Sequence, residues 1–347
     1  MRVLVTADPY LPVPPTHYGG IERVIDLLVR GLAARGHEVT LLAHPDSKVP
    51  ASLLPYGKAP HVGMGPRTTE LAQVGSTLWR LRRTVDVVHS FGRLAALLPI
   101  LPLRRVPKIQ SYQRAVPWPS IAGATTLAGR SIAFTGCSAS VSRERVPGTG
   151  AWHTIFNGVD LDEYEFRASV ADDAPLMFLG RLEPIKGAHH AIAIARAAGR
   201  VLTIAGNRIA TAQGTRYFDE QIAPHVDGRR VRYVGEVDDR QKNALLGAAA
   251  ALLMPIEWEE PFGIVMAEAL ACGTPVIAFN RGSVSEIVRD AINGFVCGSI
   301  DDAVQAAGRL QTISRAAVRA DCERRFGAPV IVDQYERLYE EMVGRVA

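Results

Sequence analysis

One stretch of the chain, residues 251–279, reads ALLMPIEWEEPFGIVMAEALACGTPVIAF. It opens and closes on short apolar runs, 251–255 and 275–279, that are typical of buried strands. Between them lies an almost wholly apolar segment of helical length, 264–272. A strand, a helix and a second strand form the repeating unit of parallel sheets that carry helices on both faces. The stretch therefore predicts an α/β fold.

The same alternation continues from end to end of the chain. In the first half, strand-like segments predict strands at 3–7, 39–43, 85–89, 108–112, 132–137 and 154–159. In the second half, they predict strands at 176–179, 201–205, 231–234, 251–255, 275–279 and 295–297. An acidic stretch near 160–173 has the composition of a linker. We therefore expect two sheets.

Composition narrows the class of protein. At 347 residues and 48% hydrophobic, the chain has enough apolar side chains for two ordinary domains. A net charge of +4 is only a weak basic bias, and it falls far short of the clustered lysines and arginines that are typical of a nucleic-acid binder. We expect a cytoplasmic protein with reduced thiols, because the four cysteines lack Cys-x-x-Cys spacing and no leader pattern stands before the first strand. The most apolar run, 94–103, is too short to span a bilayer, so we expect at most peripheral membrane contact.

Glu268 is an unexpected residue within the apolar helix, since its helical neighbours three and four positions away are all apolar. Burying this carboxylate is unfavourable unless its oxygens accept hydrogen bonds. A ribose diol of a ligand would supply them, and so would a buried Arg or Lys of the chain itself. Glu260 lies just before the helix, and Pro261 is suited to start the first helical turn.

Glu260 and Glu268, with seven residues between them and Ala-Cys-Gly-Thr-Pro-Val-Ile following at 271–277, resemble the Glu-x7-Glu motif of retaining glycosyltransferase family 4. The resemblance implies that Glu260 contacts hydroxyls of the donor sugar and acts in catalysis. It implies that Glu268 holds the ribose of the sugar nucleotide. Phe262, Gly263 and Ile264, at the start of the helix, become further predicted donor contacts.

The resemblance also implies an architecture, called GT-B, of two doubly wound parallel-sheet Rossmann-like domains facing a central cleft. Residues 1–165 would form the acceptor-binding domain and 166–329 the nucleotide-sugar domain. A C-terminal helix, 330–347, would cross back onto the first domain. Periodicity alone supports only a doubly wound α/β class.

A second motif, residues 178–187, reads FLGRLEPIKG and follows a predicted strand. Two cations at the start of a helix form a typical diphosphate site. The spacing matches neither the P-loop nor the dinucleotide fingerprint. It resembles the family's Gly-Arg-Leu-x-Pro-x-Lys-Gly pattern, in which Arg181 and Lys186 neutralise the leaving diphosphate. Gly180 is predicted to contact the donor as well.

Other predicted site residues depend more heavily on the resemblance. Gly19 and Gly20 match the family's amino-terminal glycine loop, which meets the donor phosphates. His89, at the end of a predicted strand, matches a histidine placed beside the donor sugar, although Phe91 stands where a second histidine is usual. The remaining candidates are Tyr18, Tyr112 and Arg114 in the acceptor region, and Asn207 and Val234 at the nucleobase.

We expect no metal ligand and no cofactor. Asp160-Leu161-Asp162 imitates a metal-binding Asp-x-Asp, but it opens the predicted linker. His189 and His190 are adjacent on a predicted helix, so we expect them to point to different faces and form no chelate.

The leading hypothesis is a retaining, metal-independent hexosyltransferase with a front-face mechanism. Its donor would be of the UDP-glucose type or, next, the GDP-mannose type. Its acceptor would be a hydroxyl of a small molecule, a glycan or a lipid-linked glycan. The alternatives are a nucleotide-sugar epimerase or phosphorolytic enzyme on the same fold, and a non-catalytic nucleotide-sugar binder.

Overall fold

A computed structural model describes residues 1–15, 19–57, 68–114, 116, 118–142, 148 and 150–346 of the chain. The chain divides into two compact units. Unit 1 comprises Met1–Gly158 and Ala328–Ala347, and unit 2 comprises Val159–Gly327. Each unit holds one sheet with its helices, and every strand pair is parallel. The predicted fold class of two Rossmann-like sheets is confirmed.

Unit 1 contains a seven-stranded sheet in the order β3-β2-β1-β4-β5-β6-β7. Its elements in chain order are β1 (Arg2–Thr6), α1 (Gly20–Ala34), β2 (Glu38–Ala43), β3 (Ser52–Pro55), α2 (Thr68–Leu81), β4 (Val87–Ser90), β5 (Lys108–Tyr112), α3 (Trp118–Ala128), β6 (Ile132–Gly136) and β7 (Trp152–Thr154). The strand order reverses between β1 and β4, which makes the carboxyl ends of these two strands the place where a doubly wound sheet opens a crevice.

Unit 2 contains a six-stranded sheet in the order β10-β9-β8-β11-β12-β13. Its elements are β8 (Leu176–Leu179), α4 (Ala188–Ala197), β9 (Leu202–Ala205), α5 (Ala212–Tyr217), β10 (Val231–Gly235), α6 (Asp239–Ala248), β11 (Ala251–Met254), α7 (Ile264–Ala271), β12 (Val276–Phe279), α8 (Val284–Ile287), β13 (Gly294–Cys297), α9 (Ile300–Ala307) and α10 (Arg315–Phe326). Here the order reverses between β8 and β11, the two central strands.

The last helix, α11 (Ala328–Val346), returns to unit 1 and packs against α1. Its buried stripe repeats at helical spacing and comprises Ile331, Val332, Tyr335, Leu338, Tyr339 and Met342. Gly31 of α1 lets the two helices approach closely, because a Cβ there would lie 2.4 Å from Val332 Cγ2. The stripe and its return to the first unit agree with the sequence-based expectation.

One strand was missed, and two local expectations were wrong. The strand at Ser52–Pro55 was not predicted, because it is a short, partly exposed edge strand without an apolar run. The last strand of unit 1 is Trp152–Thr154, so the run predicted at 154–159 begins where the strand ends. Helix α7 begins at Ile264 after Gly263, so Pro261 precedes the helix and does not start its first turn.

Within the described residues, no helix has both the length and the apolar character that crossing a membrane requires.

Candidate active site

The loops that follow β8 and β11 meet at the carboxyl ends of the central strands of unit 2. Ligands of doubly wound sheets bind at such a reversal of strand order. The loop after β8 carries the basic motif, and the loop after β11 carries Trp258 and Glu260. The fold therefore brings the two sequence motifs to neighbouring strand ends.

Lys186 and Glu260 form an ion pair between these loops. Lys186 Nζ donates to Glu260 Oε2 at 2.8 Å, and Trp258 Nε1 donates to the same oxygen at 3.0 Å. The ammonium also lies 4.4 Å from the centre of the Trp258 ring, within the range of a cation–π contact. Glu260 is 7% exposed. Its second oxygen, Oε1, makes no hydrogen bond with any residue that the structure describes.

Backbone contacts hold the two loops together. Gly187, which precedes α4, has the left-handed conformation (φ 76°), and a Cβ on it would lie 1.9 Å from the carbonyl oxygen of Pro255. Only glycine fits this approach without strain. The backbone N–H of Glu257 donates to the carbonyl of Ile185 at 2.9 Å. The distance between the loops is therefore set by the main chain.

Arg181 lies at the beginning of the same basic loop. Its guanidinium pairs with Glu183 at 2.6 Å, and its side chain is 36% exposed. Gly180 and Asn207 lie nearby at the ends of neighbouring strands, where Gly180 N donates to Ala205 O and Leu182 N donates to Asn207 O. These residues line the strand ends beside β8.

Glu268 is held in the same manner as Glu260. Lys242 Nζ donates to Glu268 Oε1 at 2.6 Å, and the Tyr164 hydroxyl donates to the same oxygen at 2.8 Å. The carboxylate is 4% exposed. The alternative of a buried lysine partner is thus present in the structure. Glu268 Oε2 nevertheless makes no hydrogen bond within the described part of the chain.

The amino end of α7 lies between the two glutamates in sequence. Gly263 caps the helix in the left-handed conformation (φ 69°) with no side-chain cap, so the first amides of the helix lack side-chain acceptors. Phe262 is buried against Phe326, with ring centroids 5.8 Å apart, and Ile264 is half-buried. Val234, on β10 of the same sheet, is 46% exposed.

His89 occupies a different environment in unit 1. Its side chain is fully buried in β4, with Nδ1 2.7 Å from the Tyr339 hydroxyl and Nε2 2.6 Å from Ser111 Oγ. Burial lowers the pKa of His89 to about 3. The rings of Phe91 and Tyr335 pack against it. Both ring nitrogens are engaged in the core, and the predicted role of His89 at the donor sugar stays a prediction.

The other candidates of unit 1 are spread over several elements. Gly19 caps α1, and Gly20 is its first residue. Tyr112 is buried beside Phe134, with ring centroids 6.2 Å apart, and Arg114 is exposed after β5. Tyr18 lies outside the described residues. The structure does not bring Tyr112 and Arg114 into one cluster by any hydrogen bond between described residues.

The expectation that His189 and His190 point to different faces was wrong. Their ring centroids lie 4.0 Å apart, and both reach Glu257. Neighbouring side chains in a first helical turn lean towards the amino end of the helix, where the loop of Glu257 meets them.

Comparisons with known proteins agree with this geometry. The family models described as "Glycosyl transferases group 1" and "Glycosyltransferase Family 4" match residues 162–325 and 18–163. A glycogen synthase of Mycobacterium tuberculosis is 30% identical, over 88% of this chain and 84% of that protein. This chain belongs to glycosyltransferase family 4.

Two further similarities cover nearly the whole chain of this family 4 member. A phosphatidyl-myo-inositol mannosyltransferase of Mycobacterium leprae is 27% identical over 93% of both proteins. The crystal structure of AviGT4, a glycosyltransferase involved in avilamycin A biosynthesis, has a TM-score of 0.72 and 26% identity, over 99% of this chain and 98% of that one.

Sequence reasoning missed the residues that hold the two glutamates of this glycosyltransferase. Tyr164 and Lys242 lie 104 and 26 residues from Glu268, and Lys186 lies 74 residues from Glu260. No local pattern signals such pairings. Trp258 belongs to neither sequence motif, and its two contacts depend on the meeting of the β8 and β11 loops.

Proposed function

We propose that the chain is a retaining hexosyltransferase. It would transfer a hexose from a nucleoside-diphosphate sugar, of the UDP-glucose type first and the GDP-mannose type second, to a hydroxyl acceptor. A glycan or a lipid-linked acceptor is supported by the similarity to a glycogen synthase and to a phosphatidyl-myo-inositol mannosyltransferase. The transfer would need no metal.

The observation that carries the proposal is the matched environment of the two glutamates. In each, one carboxylate oxygen accepts hydrogen bonds from a lysine and from an aromatic side chain that carries a polar hydrogen. The donors are Lys186 and Trp258 for Glu260, and Lys242 and Tyr164 for Glu268. In each case the second oxygen is free of hydrogen bonds to the described residues. Two oriented acceptors suit a ligand that is rich in hydroxyl groups.

In this proposal, Glu268 Oε2 accepts hydrogen bonds from the ribose, and Glu260 Oε1 accepts them from the hexose. Hydrogen bonds to a charged acceptor are about twice as strong as neutral ones, so both groups contribute to affinity. Lys242 and Tyr164 would act as positioning residues, because both donate hydrogen bonds to the other oxygen, Glu268 Oε1.

The basic loop would act on the leaving group. As the bond from the anomeric carbon to the phosphate oxygen breaks, negative charge develops on the diphosphate, and Lys186 and Arg181 would stabilise it. The acceptor oxygen would bond to the anomeric carbon on the same face, and its proton would pass to the departing phosphate oxygen. Preorganised cations are effective at such a step because they need no reorganisation.

Donor binding tests the proposal directly. Thermal stabilisation should be measured with UDP, GDP and their hexose conjugates, each with magnesium and with EDTA. One base should stabilise the protein in both conditions, by about 2.7 kcal/mol when the ligand is present at 100 times its dissociation constant.

Glu268→Gln should weaken this response, because an amide cannot replace the charged acceptor. Glu340→Gln, an exposed glutamate on α11 of unit 1, is a control outside unit 2. If no nucleotide stabilises the wild type, or if Glu268→Gln binds as tightly as the wild type, the proposed donor site is wrong. Stabilisation without any hydrolysis or transfer of the sugar would instead favour a non-catalytic binder.

A further inference from the structure

Two histidines and a glutamate of unit 2 form a compact group beside the basic loop. His190 Nε2 lies 2.7 Å from Glu257 Oε1, and His189 Nε2 lies 3.9 Å from the same oxygen. The potential ligand atoms of all three residues lie within 4.8 Å of one another. Ligand atoms of a tetrahedral zinc site, with bonds of about 2.0 to 2.1 Å, are separated by roughly 3.3 Å. Small rotations of these side chains would therefore complete a three-ligand set.

Tyr217 orients the first histidine. Its hydroxyl lies 2.9 Å from His189 Nδ1 and 3.3 Å from the backbone nitrogen of the same residue. Nδ1 is thus engaged on the protein side, and Nε2 is the nitrogen that faces Glu257. Metal-binding histidines commonly have a partner of this kind on their second nitrogen, because it fixes the tautomer and the ring orientation.

From this geometry we infer that His189, His190 and Glu257 bind a divalent transition-metal ion of the zinc class. Two imidazole nitrogens and one carboxylate oxygen are ligands that Zn²⁺ and its first-row neighbours prefer, whereas Mg²⁺ and Ca²⁺ prefer oxygen alone. The side chains of His189 and His190 are 26% and 23% exposed, and that of Glu257 is 45% exposed. An ion bound there would be reached from solvent and would keep water as its remaining ligand.

The site is distinct from the predicted diphosphate contacts. Glu257 precedes Trp258, and its backbone is bound to Ile185, so an ion would link the start of α4 to the loop that carries Glu260. The inferred ion takes no part in the proposed transfer step. The metal site and the proposed function therefore stand or fall separately.

Metal titration of the untagged, EDTA-treated protein tests the inference. Calorimetry with Zn²⁺, and the visible absorption of bound Co²⁺, should show one ion per chain in the wild type. His190→Ala and Glu257→Gln should each lower the affinity at least about tenfold. His225→Ala removes an exposed histidine elsewhere in unit 2 and should leave the affinity unchanged.

The unfolding temperature of each metal-free variant shows whether the variant still folds, so that a loss of affinity can be assigned to the missing ligand. If His190→Ala fails to fold, Glu257→Gln still tests the inference, because it keeps the shape of the side chain. Absence of Zn²⁺ binding by the wild type would overturn the inference. Equal affinity in the wild type and both ligand variants would overturn it too, since the ion would then lie elsewhere.

Discussion

Both sheets reverse their strand order once, between β1 and β4 in unit 1 and between β8 and β11 in unit 2. In unit 2 the reversal is flanked by loops whose charged side chains, Lys186 and Glu260, pair across it. In unit 1, His89 at the end of β4 is instead fully buried and bound to Ser111 and Tyr339, although the charged residues Asp8 and Arg93 follow β1 and β4. The same topology therefore places an ion pair between two loops in unit 2 and a buried, hydrogen-bonded imidazole beside the reversal in unit 1.

The difference shows that topology locates a site without determining its chemistry. A charged pair at a loop keeps partial access to solvent and free acceptor positions, so a ligand can bind without disrupting the core. A buried imidazole with both nitrogens engaged contributes mainly to packing and to specific hydrogen bonding. The four predictions that follow test this contrast.

The largest effect is expected for Lys186→Ala. Loss of a cation that stabilises charge in the transition state should lower kcat about 100- to 1,000-fold. Release of nucleoside diphosphate from the donor sugar measures it, and Arg216→Ala, an exposed cation of unit 2, is the control. A loss of less than about fivefold would mean that the ion pair with Glu260 is structural only.

Gly187→Ala should destabilise unit 2 by about 3 kcal/mol, because the added Cβ meets the Pro255 carbonyl in a conformation that is already unfavourable. Gly199→Ala is a matched control, since Gly199 also has a positive φ (65°) but nothing within 4 Å of its added Cβ. It should lose only about 1 kcal/mol. Urea unfolding measures both, and equal losses would show that the approach of the two loops is not tight.

His89 should make unit 1 sensitive to acid. Its pKa is about 3 when folded, because it is buried, and about 6.5 when unfolded, so the unfolded state binds more protons between these values. The free energy of unfolding that depends on His89 therefore has its full value above pH 6.5 and falls as the pH drops towards 3. The loss between pH 7 and pH 5 should be about 2 kcal/mol.

His89→Gln should remove this part of the acid sensitivity, and His225→Gln, an exposed control, should not. Thermal unfolding of the three proteins at both pH values measures the difference. The same acid sensitivity in wild type and His89→Gln would contradict a buried, neutral imidazole.

The smallest effect is expected for Val234→Ala. Val234 is 46% exposed, so the change removes only part of an apolar contact with a nucleobase, and donor affinity should fall by about threefold or less. Nucleotide titration measures it. A loss above tenfold would place Val234 among the main contacts of the base.

Much of the fold could be predicted locally. The strands 108–112 and 176–179 were predicted with the bounds that the structure has, and both are buried over most of their length. The edge strand Ser52–Pro55 was missed and the other edge strand of unit 1 was misplaced, since edge strands bury less apolar surface and carry a weaker pattern. The carboxylates and cations of the candidate site could be named, but their partners could not.

Periodicity predicted doubly wound α/β units, because alternating strands and helices are patterns of chain neighbours. The resemblance of residues 178–187 and 260–277 to glycosyltransferase family 4 implied the return of the last helix and named the glutamates and basic loop of the candidate site. Tertiary structure alone decided that Lys186 meets Glu260, that Lys242 and Tyr164 meet Glu268, and that His89 is buried. It also gathered His189, His190 and Glu257. Contacts across 26 to 104 residues form only when strands pair and helices pack, and no local pattern encodes them.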